Sequence, residues 1–152
     1  MNRALLVAIV TLFSIGALSP CLSSSMQGNR VLDQAINIAR IEKTGKAFRE
    51  LNRLGERRDG DYAEYYGLVV MELIESDSVR CELIRYLIQA KKCDRNNLEV
   101  SIAQEIYIRE GVLYSKRTKT IFSRRCLGIA SKDRSLISNR IDNLIRSIVQ
   151  GK

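Results

Sequence analysis

The chain has 152 residues, 45% of them hydrophobic and 28% charged, with a single proline: the composition of one globular domain, not of a disordered or fibrous chain. Lysine and arginine outnumber aspartate and glutamate by 25 to 17, a formal charge of +8. Histidine and tryptophan are absent, which excludes a Ser-His-Asp triad, a His-ligated metal centre and a His-ligated haem.

Met1, Asn2 and Arg3 precede an uncharged run from Ala4 to Leu18, rich in Leu, Val, Ile and Ala. As a helix this run would span about 22 Å, short of the roughly 30 Å of a bilayer core. Pro20 discourages its continuation. The pattern predicts a secretory signal peptide over residues 1–25, cut among Ser23 to Ser25, and hence an exported protein, periplasmic or secreted. A membrane anchor left uncut and reaching Leu22 is the alternative. Cys21 raises acylation of the lipoprotein kind, but Pro20 stands where a small residue belongs before the cysteine.

After a polar spacer from Ser23 to Asn29, residues 26–152 read as a single all-α domain, a small bundle of five or six amphipathic helices. Leu32, Ala35, Ile36, Ala39, Ala47, Phe48, Leu51 and Leu54 recur at steps of three and four, so Val31 to Glu56 forms one long helix or two in tandem, with Gly45 as the break. Tyr62, Tyr65, Tyr66, Val69, Val70, Leu73 and Ile74 keep the same rhythm in the next, with Asp59 or Asp61 as its N-cap. Ser78 is the expected cap of a third, built on Val79, Leu83, Ile84, Leu87 and Ile88 and closed by Lys91 and Lys92. Asn96 and Glu99 resemble a capping box opening a fourth, with Leu98, Ile102, Ala103 and Ile106 inward. Its continuation to Glu110 is expected, a hairpin around Gly111 being the alternative. A fifth over Thr118 to Ala130 buries Phe122, Cys126 and Ile129. A sixth, from about Arg134 to Val149, rests on Ile137, Ile141, Leu144, Ile145 and Ile148, and Gly151 stops it.

Loss of Cys21 with the signal leaves Cys81, Cys93 and Cys126, enough for one disulfide in an oxidising compartment. Cys81 and Cys93 stand about 18 Å apart along a helix, beyond the roughly 4.4 to 6.8 Å between the α-carbons of a disulfide. Cys126 must therefore bond one of them, and Cys93, past a helix end, is the expected partner. The spacings fit no zinc pattern.

Positive charge gathers between Lys116 and Arg134, where Lys116, Arg117, Lys119, Arg124, Arg125, Lys132 and Arg134 face the single acid Asp133. Such a segment attracts an acidic protein surface, phosphate or anionic headgroups, more weakly as salt rises; on a solvated helix face it binds nothing. An acidic protein partner is the expectation, with membrane association the alternative. Nucleic acid is set aside because export removes the domain from it. The three clustered tyrosines share a stripe with Val69, Val70 and Leu73, so packing accounts for them better than an interface. The acid pairs Glu72 and Glu75, or Glu105 and Glu110, read as solvated surface. Ser131 and Lys132 point apart on a helix, and no serine or cysteine has an imidazole base. With no phosphate-binding glycine loop either, neither an enzyme nor a cofactor is expected.

The signal, the small helical domain and Arg125-Cys126-Leu127 ahead of an amphipathic terminal helix are similar to periplasmic immunity proteins that neutralise type VI secretion amidase effectors. The similarity covers a minor part of the chain, and Met71 stands where that family has a first-helix cysteine. The expected function is therefore stated from the residues: a small exported helical binding protein of the inhibitor, immunity or secretion-accessory type, docking through its basic segment. A membrane-anchored envelope component is the alternative.

Overall fold

The computed structural model describes residues 20–56 and 60–151, with side chains from Arg30 onward. The expected signal run before Pro20 and the Asp59 cap lie outside the described residues. Among these the fold is all helical: α1 Pro20–Glu42, α2 Gly45–Leu54, α3 Gly60–Glu75, α4 Arg80–Gln89, α5 Lys92–Glu110, α6 Tyr114–Ser123 and α7 Ser131–Val149, with a 3-10 turn at Gly111–Leu113. The long helix α5 is central and packs against α2, α3, α6 and α7, while α1 covers α2 and α3, and α4 lies against α2, α3 and α7.

The three-four spacings are realised as one continuous core. Leu32, Phe48, Leu51, Val70, Leu73, Ile74, Leu83, Leu87, Leu98, Ile102, Ile106, Phe122, Ile137, Ile141 and Ile145 are all buried in it. Each helix contributes an apolar stripe, and removing those stripes from water supplies the main drive to fold.

Several boundaries differ from the sequence reading, each for a local reason. The first two helices are in tandem, but the break falls before Gly45: Lys43 adopts a positive φ of 51°, and Thr44 takes the N-cap, its Oγ1 accepting from the Ala47 N–H at 3.3 Å. The helix α1 already runs from Pro20, so both the spacer and the expected cleavage position are helical. Ser78 does not cap α4; Val79 holds that place without a side-chain cap, and the Ser78 hydroxyl lies 3.1 Å from that of Ser76. The fifth expected helix ends early, at Ser123, leaving 124–130 irregular with Gly128 at φ 73°, and the last begins at Ser131. Helix persists to Glu110, as against a hairpin.

The seam between α2 and α5 explains why Asn96 looks like a helix start although α5 begins at Lys92. Buried Asn52 of α2 donates from Nδ2 to the Cys93 carbonyl at 3.1 Å, and its Oδ1 accepts from the N–H groups of Asn97 and Leu98 at 3.0 and 3.2 Å. One side chain thus ties the backbone of α5 to α2 by three bonds. Asn97 returns a bond from Nδ2 to the Asn52 carbonyl at 2.9 Å. At the end of α2 the hydroxyls of Tyr66 and Tyr62 donate to the carbonyls of Leu51 and Leu54 at 3.0 and 3.2 Å. Gly55 makes room for this, since a Cβ there would stand 2.6 Å from the Tyr66 ring.

Candidate docking site

The helix α6 buries Thr118, Ile121 and Phe122 against the core, which turns Lys116 and Lys119 outward to solvent. Arg117 sits beside the buried stripe and is drawn inward. It ion-pairs with Glu75 at the end of α3 and lies 3.7 Å from Glu110, while Arg109 approaches Glu75 at 3.8 Å. Arg117 is therefore half-buried within its own fold's charges. The acid pairs read from the sequence are likewise engaged: Glu75 in this network, and buried Glu105 at 3.5 Å from Arg109.

The irregular segment after α6 is held to α4 at two points. Cys126 forms a disulfide with Cys81, at a Cα–Cα distance of 5.3 Å, and Cys93 is free and exposed. This corrects the expected Cys93–Cys126 bond. Cys93 lies in the first turn of α5 on the α2 side, where its carbonyl receives Asn52, whereas the first turn of α4 faces the 124–130 segment. One turn along α4 from Cys81, Arg85 donates from Nη2 to the Leu127 carbonyl at 3.1 Å. The backbone of Leu127 is fixed in this way, yet its side chain is 80% exposed.

Around this leucine the expected basic residues divide into two groups. Arg124 lies 3.7 Å from the exposed carboxylate of Asp77, and Arg134 donates from Nη1 to the Ile129 carbonyl at 2.6 Å, closing the segment onto the start of α7. Lys116, Lys119, Arg125 and Lys132 are exposed and have no ion pair among the described residues. The helices α6 and α7 pack on each other with the pinned segment between them in the chain, and Arg117 is engaged by acids of its own fold. The sequence reading missed Arg85 and Leu127. Both follow from the Cys81 pairing, because Arg85 lies four residues along the helix on the same side.

Among the described residues no cluster of three or more Cys, Asp or Glu is placed to hold a metal ion. Compared with protein-family models, with curated proteins and with solved structures, the chain matches none of them.

Proposed function

We propose that this is an exported helical binding protein, not an enzyme, that docks on an acidic protein through the face formed by Lys116, Lys119, Arg125, Leu127 and Lys132. The observation that supports this reading is a segment tied down by Cys81–Cys126 and by Arg85 that holds the Leu127 side chain in solvent, with exposed, unpaired Arg125 and Lys132 on either side of it in the chain. Interfaces draw most of their energy from a few anchors with apolar area, and ordering the segment before binding removes an entropic cost of association. Unpaired cations around the anchor steer an acidic partner and select against a basic one. An inhibitor, immunity factor or secretion-system accessory works in this way.

Export is supported by the disulfide, which persists in oxidising compartments, and by the apolar run at the N-terminus. No helix among the described residues is long and apolar enough to cross a membrane. Anchoring through the N-terminal run is the competing reading.

Purification from the native host, with intact-mass analysis and cross-linking, tests both. The expected result is a processed, soluble chain with one disulfide, cross-linked from its basic face to an acidic protein at fixed stoichiometry. Reversal of Arg125 and Lys132 to glutamate then weakens that complex more than tenfold. The same charge change at Lys91 and Lys92, past the far end of α4, leaves it intact. An unprocessed chain that stays in the membrane pellet after a high-salt wash, with no partner, overturns the proposal in favour of the anchor.

A further inference from the structure

The seam of α3 with α5 opens on the surface as a groove. Its wider part, about 570 Å³, lies between Glu64, Gly67 and Leu68 of α3 and Tyr107 and Ile108 of α5, with Ile148 of α7 beside them. A narrower part of about 250 Å³ continues along the same two helices to Asn97 and shares Ala63 and Gln104 with the first. On α5 the lining residues Asn97, Ser101, Gln104 and Ile108 follow at steps of four, three and four, so the groove runs along the helix for about 16 Å, or about three turns.

The walls suit a helix. Ala63 and Gly67 keep the α3 side low, which lets another backbone approach closely, while Leu68 and Ile108, from opposite walls, are 44% and 73% exposed. An amphipathic helix of three turns lays its apolar stripe into such a channel, whereas a small molecule would leave most of its length in water.

Glu105 gives the groove its sign. It is only 6% exposed and lines the wider part, its carboxylate accepts no hydrogen bond among the described residues, and its one ion pair there is with Arg109 at 3.5 Å. Gly67 makes room for it, since a Cβ there would stand 2.7 Å from the Glu105 Oε1. Arg109 is itself shared: it lies 3.8 Å from Glu75, which also pairs with Arg117, and Arg117 lies 3.7 Å from Glu110. Two guanidinium groups thus serve three carboxylates. Glu64, exposed on the α3 wall, has no ion pair among the described residues, and Arg109 is the one cation that lines either part of the groove. In a chain with a formal charge of +8, this groove is acidic.

We infer that the groove between α3 and α5 is the docking site for a basic amphipathic helix of a protein partner, with the apolar stripe of that helix between Leu68 and Ile108 and a lysine or arginine reaching Glu105 and Glu64. The site does not depend on Leu127 or on the basic segment. Lys116, Lys119, Arg125 and Lys132 repel such a helix, so the two surfaces select partners of opposite charge.

The test titrates the full chain with a peptide of about 14 residues in which leucine and lysine are spaced as an amphipathic helix, and with its counterpart carrying glutamate for lysine, followed by amide and methyl NMR shifts. Saturable shifts centred on Gly67, Gln104 and Ile108 with the lysine peptide, and none with the glutamate peptide, are expected. Ile108→Ser, at a side chain already in water, keeps the melting temperature and weakens binding about tenfold. Glu105→Gln keeps the shape of the wall, weakens binding by a similar factor and lessens its dependence on salt. Equal saturation by both peptides, shifts that map to α6 and the start of α7, no saturation below about 1 mM, or unchanged affinity in Ile108→Ser would overturn the site. A chain that sediments as a dimer before any peptide is added, and as a monomer in Ile108→Ser, would give the groove to a second copy and overturn it as well.

Discussion

At the seam of α2 with α5, Asn52 satisfies the Cys93 carbonyl and two N–H groups of α5, and Tyr62 and Tyr66 close the carbonyls at the end of α2. At the end where α6 meets α7, four cations lack a counter-charge among the described residues, and Leu127 stands in water. Both regions pack on α5, so the difference is not one of distance from the core. Polar groups that complete a helix end are absorbed by the fold, whereas exposed cations and an exposed leucine outside its bonding are free to meet a partner.

The comparison is tested most severely where the second region is tied to the first. Converting Cys81 and Cys126 to serine opens a link across a separation of 45 residues and is expected to lower stability by about 4 kcal/mol, read from denaturant unfolding. Cys93→Ser, at the exposed free thiol, leaves the unfolding curve unchanged. A loss in Cys93→Ser equal to that of the pair would reverse the disulfide assignment. Next in size, Asn52→Ala removes a buried side chain that makes three hydrogen bonds to α5 and should cost about 2–3 kcal/mol. Tyr66→Phe strands the Leu51 carbonyl alone and should cost about 1 kcal/mol. If the two changes cost the same, the seam does not act through its hydrogen bonds.

A smaller effect comes from the buried charges beside the seam. Glu99 lies 3.1 Å from Arg95 Nε and 2.6 Å from Arg140 Nη2, yet burial outweighs both arginines and holds its carboxyl above the usual glutamate range. Folded chains then bind this proton more tightly than unfolded ones. The contribution to stability is full below the unfolded glutamate value and is lost as pH rises through the folded one. Glu99→Gln should remove that downward slope from the stability profile above the ordinary glutamate pKa of about 4.3; an unchanged slope would show that the arginines dominate.

The all-helical architecture was legible because the three-four spacing of Leu, Ile and Val marks each buried stripe directly. Helix ends were less so, because a partner distant in sequence supplied the cap: Asn96 signalled a start that Asn52, on another helix, makes unnecessary. The disulfide was misread for a similar reason. Excluding Cys81 with Cys93 needed only helical rise, but choosing between the two for Cys126 required knowing which end of α4 faces the 124–130 segment. In the basic segment, composition located the cations but not their partners. Glu75, Asp77 and Glu110 come from other helix ends and neutralise Arg117 and Arg124 without any local trace in the sequence.

The smallest expected change in stability is the one that separates docking from folding. Arg125 and Lys132 are exposed without an ion pair among the described residues, and the Leu127 side chain contributes little buried area, so Arg125→Glu, Lys132→Glu and Leu127→Ser should each alter unfolding free energy by no more than about 0.5 kcal/mol. Reversing a cation within a positive cluster also relieves repulsion, which biases the small change toward stabilisation at low salt. Partner affinity is expected to fall steeply in the same variants, most for Leu127→Ser, whose loss should persist at high salt while the charge effects fade. Were Arg125→Glu to unfold the protein as readily as Asn52→Ala, the basic face would belong to the fold's internal bonding, and the contrast between the two regions would disappear.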